Sequence, residues 1–353
     1  MVLTGTAPAQ SRARARIWSR PRPAAVYAVL VCLGLALFAA ALALGRADLS
    51  DPGLRATLLH LRLLRTSGAY LAGAALAAAG VVVQALFRNP LADPSVLGAS
   101  AAASLGGQVV LIVVALAGPA PWLDDGVLGL PAEILLPVGC VLGALAAMAL
   151  LMLAARLRAS FLVVLLVGFV LTSLFLGISA LLTSLVQESN ELGRAVLAFT
   201  LGSVSGVGVP RLLLGAPLAL GGMAAAWAWG RTLDLLLSGE DEAASMGVAV
   251  TSVRLWCVVW AAFLVAAAVA IGGNVAFVGL IAPHALRPLV GVATRRLLPA
   301  AALAGGAFVV LCDLAARTLS PTGELPLGVV SGLIGAPLFL IMLRQGARRG
   351  RLG

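Results

Sequence analysis

Nine long apolar runs recur along this chain, at about 24–44, 66–87, 95–118, 134–155, 159–186, 212–230, 255–271, 297–312 and 325–343. Each approaches or exceeds the roughly 20 residues that an α-helix needs to cross a hydrocarbon core about 30 Å thick. Within a bilayer, only helices and closed barrels satisfy their own backbone hydrogen bonds, and barrel strands are only about 9–11 residues long. The repetition therefore predicts an all-α polytopic membrane protein. Composition agrees, since charged residues make up 11% of the 353, against about 25% in soluble domains. A soluble enzyme, a secreted scaffold and a nucleic-acid binder are excluded, despite the net charge of +10.

The charge is concentrated at the ends. Arg12, Arg14, Arg16, Arg20 and Arg22 precede the first run, and Arg344, Arg348, Arg349 and Arg351 follow the last. Arg-rich flanks stay on the cytoplasmic side, so both tails are expected there and the number of spans is even. Two further stretches, 195–209 and 275–290, compete for the tenth place. Residues 255–286 carry no charge over 32 positions; as one helix they would run about 48 Å at 1.5 Å per residue, well beyond the core. Gly272-Gly273-Asn274 reads as a turn dividing them. The stretch 195–209, short and rich in Gly and Ser, is placed as an outer helix and loop. Ten transmembrane helices result: a basic tail at 1–23, one membrane domain over 24–343 and a second basic tail at 344–353. Residues 24–44 exceed the 7–15 apolar residues of a signal peptide and read as an uncleaved first span. Cys32, Cys140, Cys257 and Cys312 are scattered through apolar runs and read as thiols.

No catalytic constellation is visible. His60 and His284 stand apart, and polar residues within spans reduce to Gln84, Asn274 and Asp313. The chain has no Lys, so no Walker A sequence can form, and any ATP must be hydrolysed by another chain. The Gly272-Gly273-Asn274 break is compatible with an ion-coupled secondary transporter, although no acidic ion ligand accompanies it in sequence. Gly139 and Gly143 form a G-x-x-x-G spacing for close helix contact. Arg46, Arg55, Arg62 and Arg65 crowd the outer segment 45–65, which reads either as snorkelling from a helix end or as a docking surface for an acidic partner. Arg317 follows Asp313 by four residues, a spacing that permits a pair within one helix. The longest inner loop, 231–254, reads RTLDLLLSGEDEAASMGVAVTSVR. Glu240, Asp241 and Glu242 suit the first turn of a short helix, and Gly247 suits its left-handed termination. That element is either a lever for a soluble motor or a solvated loop helix.

Several blocks, in order, carry a resemblance. RLLRTSGAYLAGAALAAAGVVVQALFRNPLADPSVLGAS (62–100) resembles the second and third spans of FecCD-type permeases, the membrane subunits of ABC importers for iron chelates, haem and cobalamin. GEDEAASMGV resembles their cytoplasmic coupling loop, FVGLIAPHALRPLVG (277–291) their eighth span, and ELPLGVVSGLIGAPLFL (324–340) their tenth. The resemblance implies binding-protein docking at Arg62, Arg65 and Arg317. It implies ATPase coupling through Gly239, Glu240, Asp241, Glu242, Ala243, Ala244 and Gly247. A cytoplasmic gate is implied at Asn89, Pro90 and Leu91, with a second constriction at Ser160 and Phe161. It further implies a homo- or heterodimer with a second permease subunit, two ABC ATPase subunits, and an extracytoplasmic binding protein. The setting would be a bacterial cytoplasmic membrane with both termini inside. ATP would be used by the partners, with no cofactor or metal bound directly. The expected substrate is a ferric siderophore, with haem or cobalamin as alternatives.

Overall fold

A computed structural model describes residues 22–45, 52–95, 97–117, 132–156, 161–187, 190–320 and 323–348. Among them, every regular element is a helix: α1 (Pro23–Ala43), α2 (Pro52–Leu86), α3 (Ala99–Ala117), α4 (Ala132–Arg156), α5 (Phe161–Val186), α6 (Asn190–Leu201), α7 (Val209–Ala228), α8 (Gly230–Ser238), α9 (Glu240–Ser245), α10 (Val250–Gly272), α11 (Val278–Val290), α12 (Thr294–Thr318) and α13 (Leu327–Arg348). Most of the basic tails expected at 1–23 and 344–353 lie outside the described residues.

Nine of these helices are long and apolar enough to span a membrane: α1, α2, α3, α4, α5, α7, α10, α12 and α13. The tenth predicted span is α11, and it is short. Its 13 residues reach about 20 Å, so it does not cross a full hydrocarbon core by itself. The unwound stretch 273–277 precedes it, where Gly273 ends α10 with φ +68°. The divide expected at Gly272-Gly273-Asn274 is thus present. The residues 195–209 form the end of α6 and a loop, as predicted.

A larger difference concerns the segment 45–65, read as an outer segment ahead of the apolar run 66–87. Residues 52–65 are instead the first turns of α2, which runs unbroken for 35 residues. Pro52 suits the first helical turn, because its missing N–H has no intrahelical partner there. The Leu, Ala and Arg residues that follow are strong helix formers. Arginines interrupt the hydropathy of this stretch without interrupting its helix.

Helix α2 sits at the centre, packed against α12, α10, α11 and α7. Lipid tails are as apolar as Leu, so helices in a membrane associate through close packing of small residues. A β-carbon on Gly73 would collide with the carbonyl of Gly305 on α12, and one on Gly80 with the carbonyl of Gly279 on α11. The G-x-x-x-G of α4 behaves likewise: a β-carbon on Gly139 would lie 2.6 Å from the carbonyl oxygen of Gly106 on α3.

Contacts fix the direction of the chain. The C-terminus of α1, the N-terminal half of α2, the end of α12 and the start of α13 meet at one end. The start of α1, the end of α2 and the start of α12 gather at the other, beside α8 and α9. Hence Pro23 and the C-terminus of α13 lie at the α8–α9 end, which requires an even number of crossings. Trp227 and Trp229 at the close of α7 and Trp256 early in α10 also cluster here, with Arg295 5.3 Å from the Trp227 ring centre. Tryptophan belts of this kind mark a membrane–water interface.

Candidate functional site

The ion pairs of the described residues are collected at the two ends. At the end away from α8–α9, the last carbonyls of α1 lack intrahelical donors, as at any helix C-terminus. Arg62 Nη1 donates to the carbonyls of Leu42 and Ala43 at 2.9 and 3.1 Å, and Arg317 Nη1 donates to that of Ala41 at 3.0 Å. Both cations also favour the negative end of the α1 dipole. Asp313 then joins two arginines. Arg65 donates from Nε and Nη2 to Oδ1 at 2.9 and 2.8 Å, and Arg317 Nη2 donates to Oδ2 at 2.6 Å. Arg65 Nη1 also reaches Glu324 at 2.8 Å.

The pair expected from the i,i+4 spacing of Asp313 and Arg317 is therefore made. Of the three predicted docking arginines, Arg62 and Arg317 are 8% and 4% exposed, and their guanidinium groups bond within the protein. Arg65 and Glu324 remain at the surface, beside a cavity of about 200 Å³ lined also by Ser203, Ser205 and Asp313. Glu324 opens the block 324–340, yet nothing in the sequence pairs it with Arg65, 259 residues away.

At the opposite end, 231–254 folds as a helical elbow. Leu233 and Leu236 on α8 are buried, and Asp234 accepts from both the backbone N–H and the hydroxyl of Thr294, at 2.8 and 2.6 Å. Gly239, at φ +145°, makes the bend to α9. The three acids occupy the first turn of α9 as predicted. Gly247 follows at φ +84°, with its N–H donating to Ala244 and that of Val248 to Ala243. This crossed pair of bonds is a Schellman termination. Ala243 faces inward, whereas Asp241, Glu242, Ala244 and Met246 face out. Glu240 is turned sideways: its Oε1 accepts from Arg88 at 3.0 Å and from Arg254.

Between α2 and α3, Asn89 Oδ1 accepts from the N–H of Leu91 at 2.7 Å, closing a tight turn around Pro90. The chain then folds back: Ala92, Asp93 and Pro94 are buried. Asp93 Oδ1 accepts from the Ser95 N–H at 2.7 Å and from its hydroxyl. A cavity of about 290 Å³ lies between Asp93, Thr172 on α5 and Asn274–Leu280. Sequence reading overlooked Asp93 as a buried acid near the helix break. Gln84 ties the same region together, donating to the Gly279 carbonyl at 3.2 Å and accepting from Arg287 at 2.6 Å. Of the second predicted constriction, Phe161 opens α5 and Ser160 lies outside the described residues.

A membrane-spanning bundle that packs its small residues centrally and keeps its charges in two terminal assemblies has the form of a transport permease. Comparison with known proteins gives the family. The FecCD transport family model matches residues 18–345. The vitamin B12 import system permease BtuC of Vibrio cholerae is 39% identical over 293 residues, covering 80% of this chain and 81% of the relative. The Fe(3+) dicitrate transport system permease FecD of Escherichia coli is 34% identical over 293 residues, covering 81% and 84%. A solved inward-facing ABC transporter, described as of the metal-chelate type, superposes with a TM-score of 0.76 at 30% identity, covering 92% of this chain and all of that one. The chain belongs to the FecCD transport family, the permeases of ABC importers for iron chelates, haem or cobalamin.

Proposed function

We propose that this chain is the permease subunit of an ATP-driven importer for a ferric siderophore, worked by alternating access between its two polar ends. The observation that carries the reading is the α8–α9 elbow, anchored through Leu233, Leu236 and the Asp234–Thr294 bonds and presenting acids and Met246 outward. An anchored elbow with an exposed tip is suited to receive force from a soluble ATPase. The elbow end is then the cytoplasmic side, with both termini, and each permease of a dimer takes one ATPase there. At the opposite end, an extracytoplasmic binding protein docks at the assembly of Arg62, Arg65 and Arg317. Arg65 is the contact, and the two buried arginines hold its surroundings in place. Asn89, Pro90 and Leu91, with Ser160 and Phe161, form the cytoplasmic gate. Membership of the ABC importer family argues against the ion-coupled alternative.

The test is uptake of radioiron supplied as ferric siderophores by a strain lacking this chain. Uptake lost in that strain, restored by the wild type and poorly restored by Arg65→Glu supports both the substrate and the docking end. Uptake indifferent to the deletion refutes the siderophore reading. A second reading, cobalamin, is favoured by the 39% identity to the Vibrio cholerae vitamin B12 permease, and labelled cyanocobalamin in the same strain distinguishes it.

A further inference from the structure

The backbone at Arg88 adopts φ +49°, a left-handed conformation that glycine takes freely and a residue with a β-carbon resists. Among the described residues, Phe277 is the other non-glycine with positive φ. Arg88 N–H donates to the Ala85 carbonyl at 3.2 Å and Asn89 N–H to that of Gln84 at 3.1 Å, so α2 ends in a Schellman motif that has Arg at the position where glycine is usual. Arg88 stands at the junction of two features described above. It closes α2, it precedes the Asn89–Leu91 turn, and its guanidinium reaches Glu240 at the first position of α9.

We propose that Arg88 is a positioning residue, passing movement of the α8–α9 elbow to the Asn89–Leu91 turn through its ion pair with Glu240. The inference rests on the importer reading above. Three observations support it. First, Glu240 is itself tied to α10 through Arg254, so the acid belongs to the elbow and its anchor together. Second, the chain beyond Arg88 is internally braced. Leu91 N–H donates to Asn89 Oδ1 at 2.7 Å, Ala92 N–H to the Asn89 carbonyl at 3.1 Å, and Leu97 N–H to the Asp93 carbonyl at 3.1 Å. A displacement applied at Arg88 therefore shifts the turn as a block. Third, the Arg88 and Glu240 side chains are 45% and 31% exposed, and solvent-exposed pairs contribute little to stability. Folding alone gives a poor reason for keeping Arg at a position where glycine would relieve the backbone.

The experiment uses the whole transporter in liposomes, with its ATPase and binding protein, and reads radioiron-labelled siderophore moved per ATP hydrolysed. Arg88→Gly removes the guanidinium and relaxes the backbone at once. Its melting temperature should equal or exceed that of the wild type, while substrate moved per ATP falls about two- to fivefold, the range an exposed pair can supply. Glu240→Gln should fall to a similar degree, Arg88→Lys should retain most of the coupling, and the Arg88→Gly/Glu240→Gln double variant should be no worse than either single one. Wild-type stoichiometry in Arg88→Gly, or losses that add in the double variant, overturns the linkage alone. A wild-type assembly that hydrolyses ATP and moves no siderophore overturns the importer reading for that substrate, and the linkage with it.

Discussion

Replacing Asp313 with Asn keeps the side chain's shape and removes its charge, and the surrounding geometry sets what that costs. Asp313 is 1% exposed and serves two arginines: Arg65 through Oδ1 at 2.8 Å and Arg317 through Oδ2 at 2.6 Å. After Asp313→Asn, two guanidinium groups share no buried anion, because Glu324, which pairs with Arg65 at 2.8 Å, is 39% exposed. The new amide also turns a donor toward arginine donors. Breaking a buried pair in this way costs about 3–5 kcal/mol. At the roughly 2 °C per kcal/mol expected of larger domains, the melting midpoint falls by about 6–10 °C. A thiol-reactive fluorophore reads the transition directly, since Cys140, Cys257 and Cys312 are buried thiols and Cys32 an exposed one. Arg317→Met leaves Asp313 paired with Arg65 and should shift the midpoint less. Glu324→Gln, at an exposed pair, should change stability by less than about 1 kcal/mol. An unshifted Asp313→Asn, or an Arg317→Met variant that melts lower than it, would refute the charge balance drawn for this cluster.

Two other substitutions probe the packing and the elbow. Gly80→Ala places a β-carbon 2.7 Å from the Cα of Gly279, so α2 and α11 must separate; overpacking of this kind costs about 1–3 kcal/mol, measured by the same melt, and a midpoint equal to wild type would contradict the close approach. Gly247→Pro demands φ near −65° where the chain adopts +84°. It should dismantle the end of α9, leaving ATP hydrolysis in the assembled transporter while uptake falls; full coupling in that variant would discredit the elbow as a lever.

What the sequence disclosed follows the range of the interaction concerned. Apolar run length located the spans, because crossing a bilayer is a property of each segment by itself. Gly273 and Gly247 were legible for a similar reason: ending a helix in the left-handed region is a local demand that glycine meets. The start of α2 was missed because hydropathy measures affinity for lipid, and Arg55, Arg62 and Arg65 lower it while favouring helix. The partners were harder still. Arg65 meets Asp313 across 248 residues, and Arg88 meets Glu240 across 152; no periodicity joins positions so far apart. Arg62 and Arg317 were read with Arg65 as docking residues. Their burial under the end of α1 depended on how α1, α2 and α12 converge.

That convergence bears on why α2 occupies the centre. Its 35 residues extend about 52 Å, well beyond a hydrocarbon core of about 30 Å, so the helix links the arginine assembly to the elbow. Arg62 and Arg65 lie toward one end, Gln84 near the other, and Arg88 two residues beyond it. A glycine in a helix interior costs about 1 kcal/mol relative to Ala, and beyond its first turn α2 carries three, at Gly68, Gly73 and Gly80. At Gly73 and Gly80 the missing β-carbons bring backbone against backbone, on α12 and α11 respectively. Contacts without an intervening side chain have little rotamer freedom with which to absorb a shift. Movement of α2 at either end is thus imposed on both neighbours: α12, which carries Asp313 and Arg317, and α11, which Gln84 grips at Gly279 and Arg287. The glycines weaken α2 as an isolated helix and stiffen it as part of the bundle, which is the property required of an element coupling two distant surfaces.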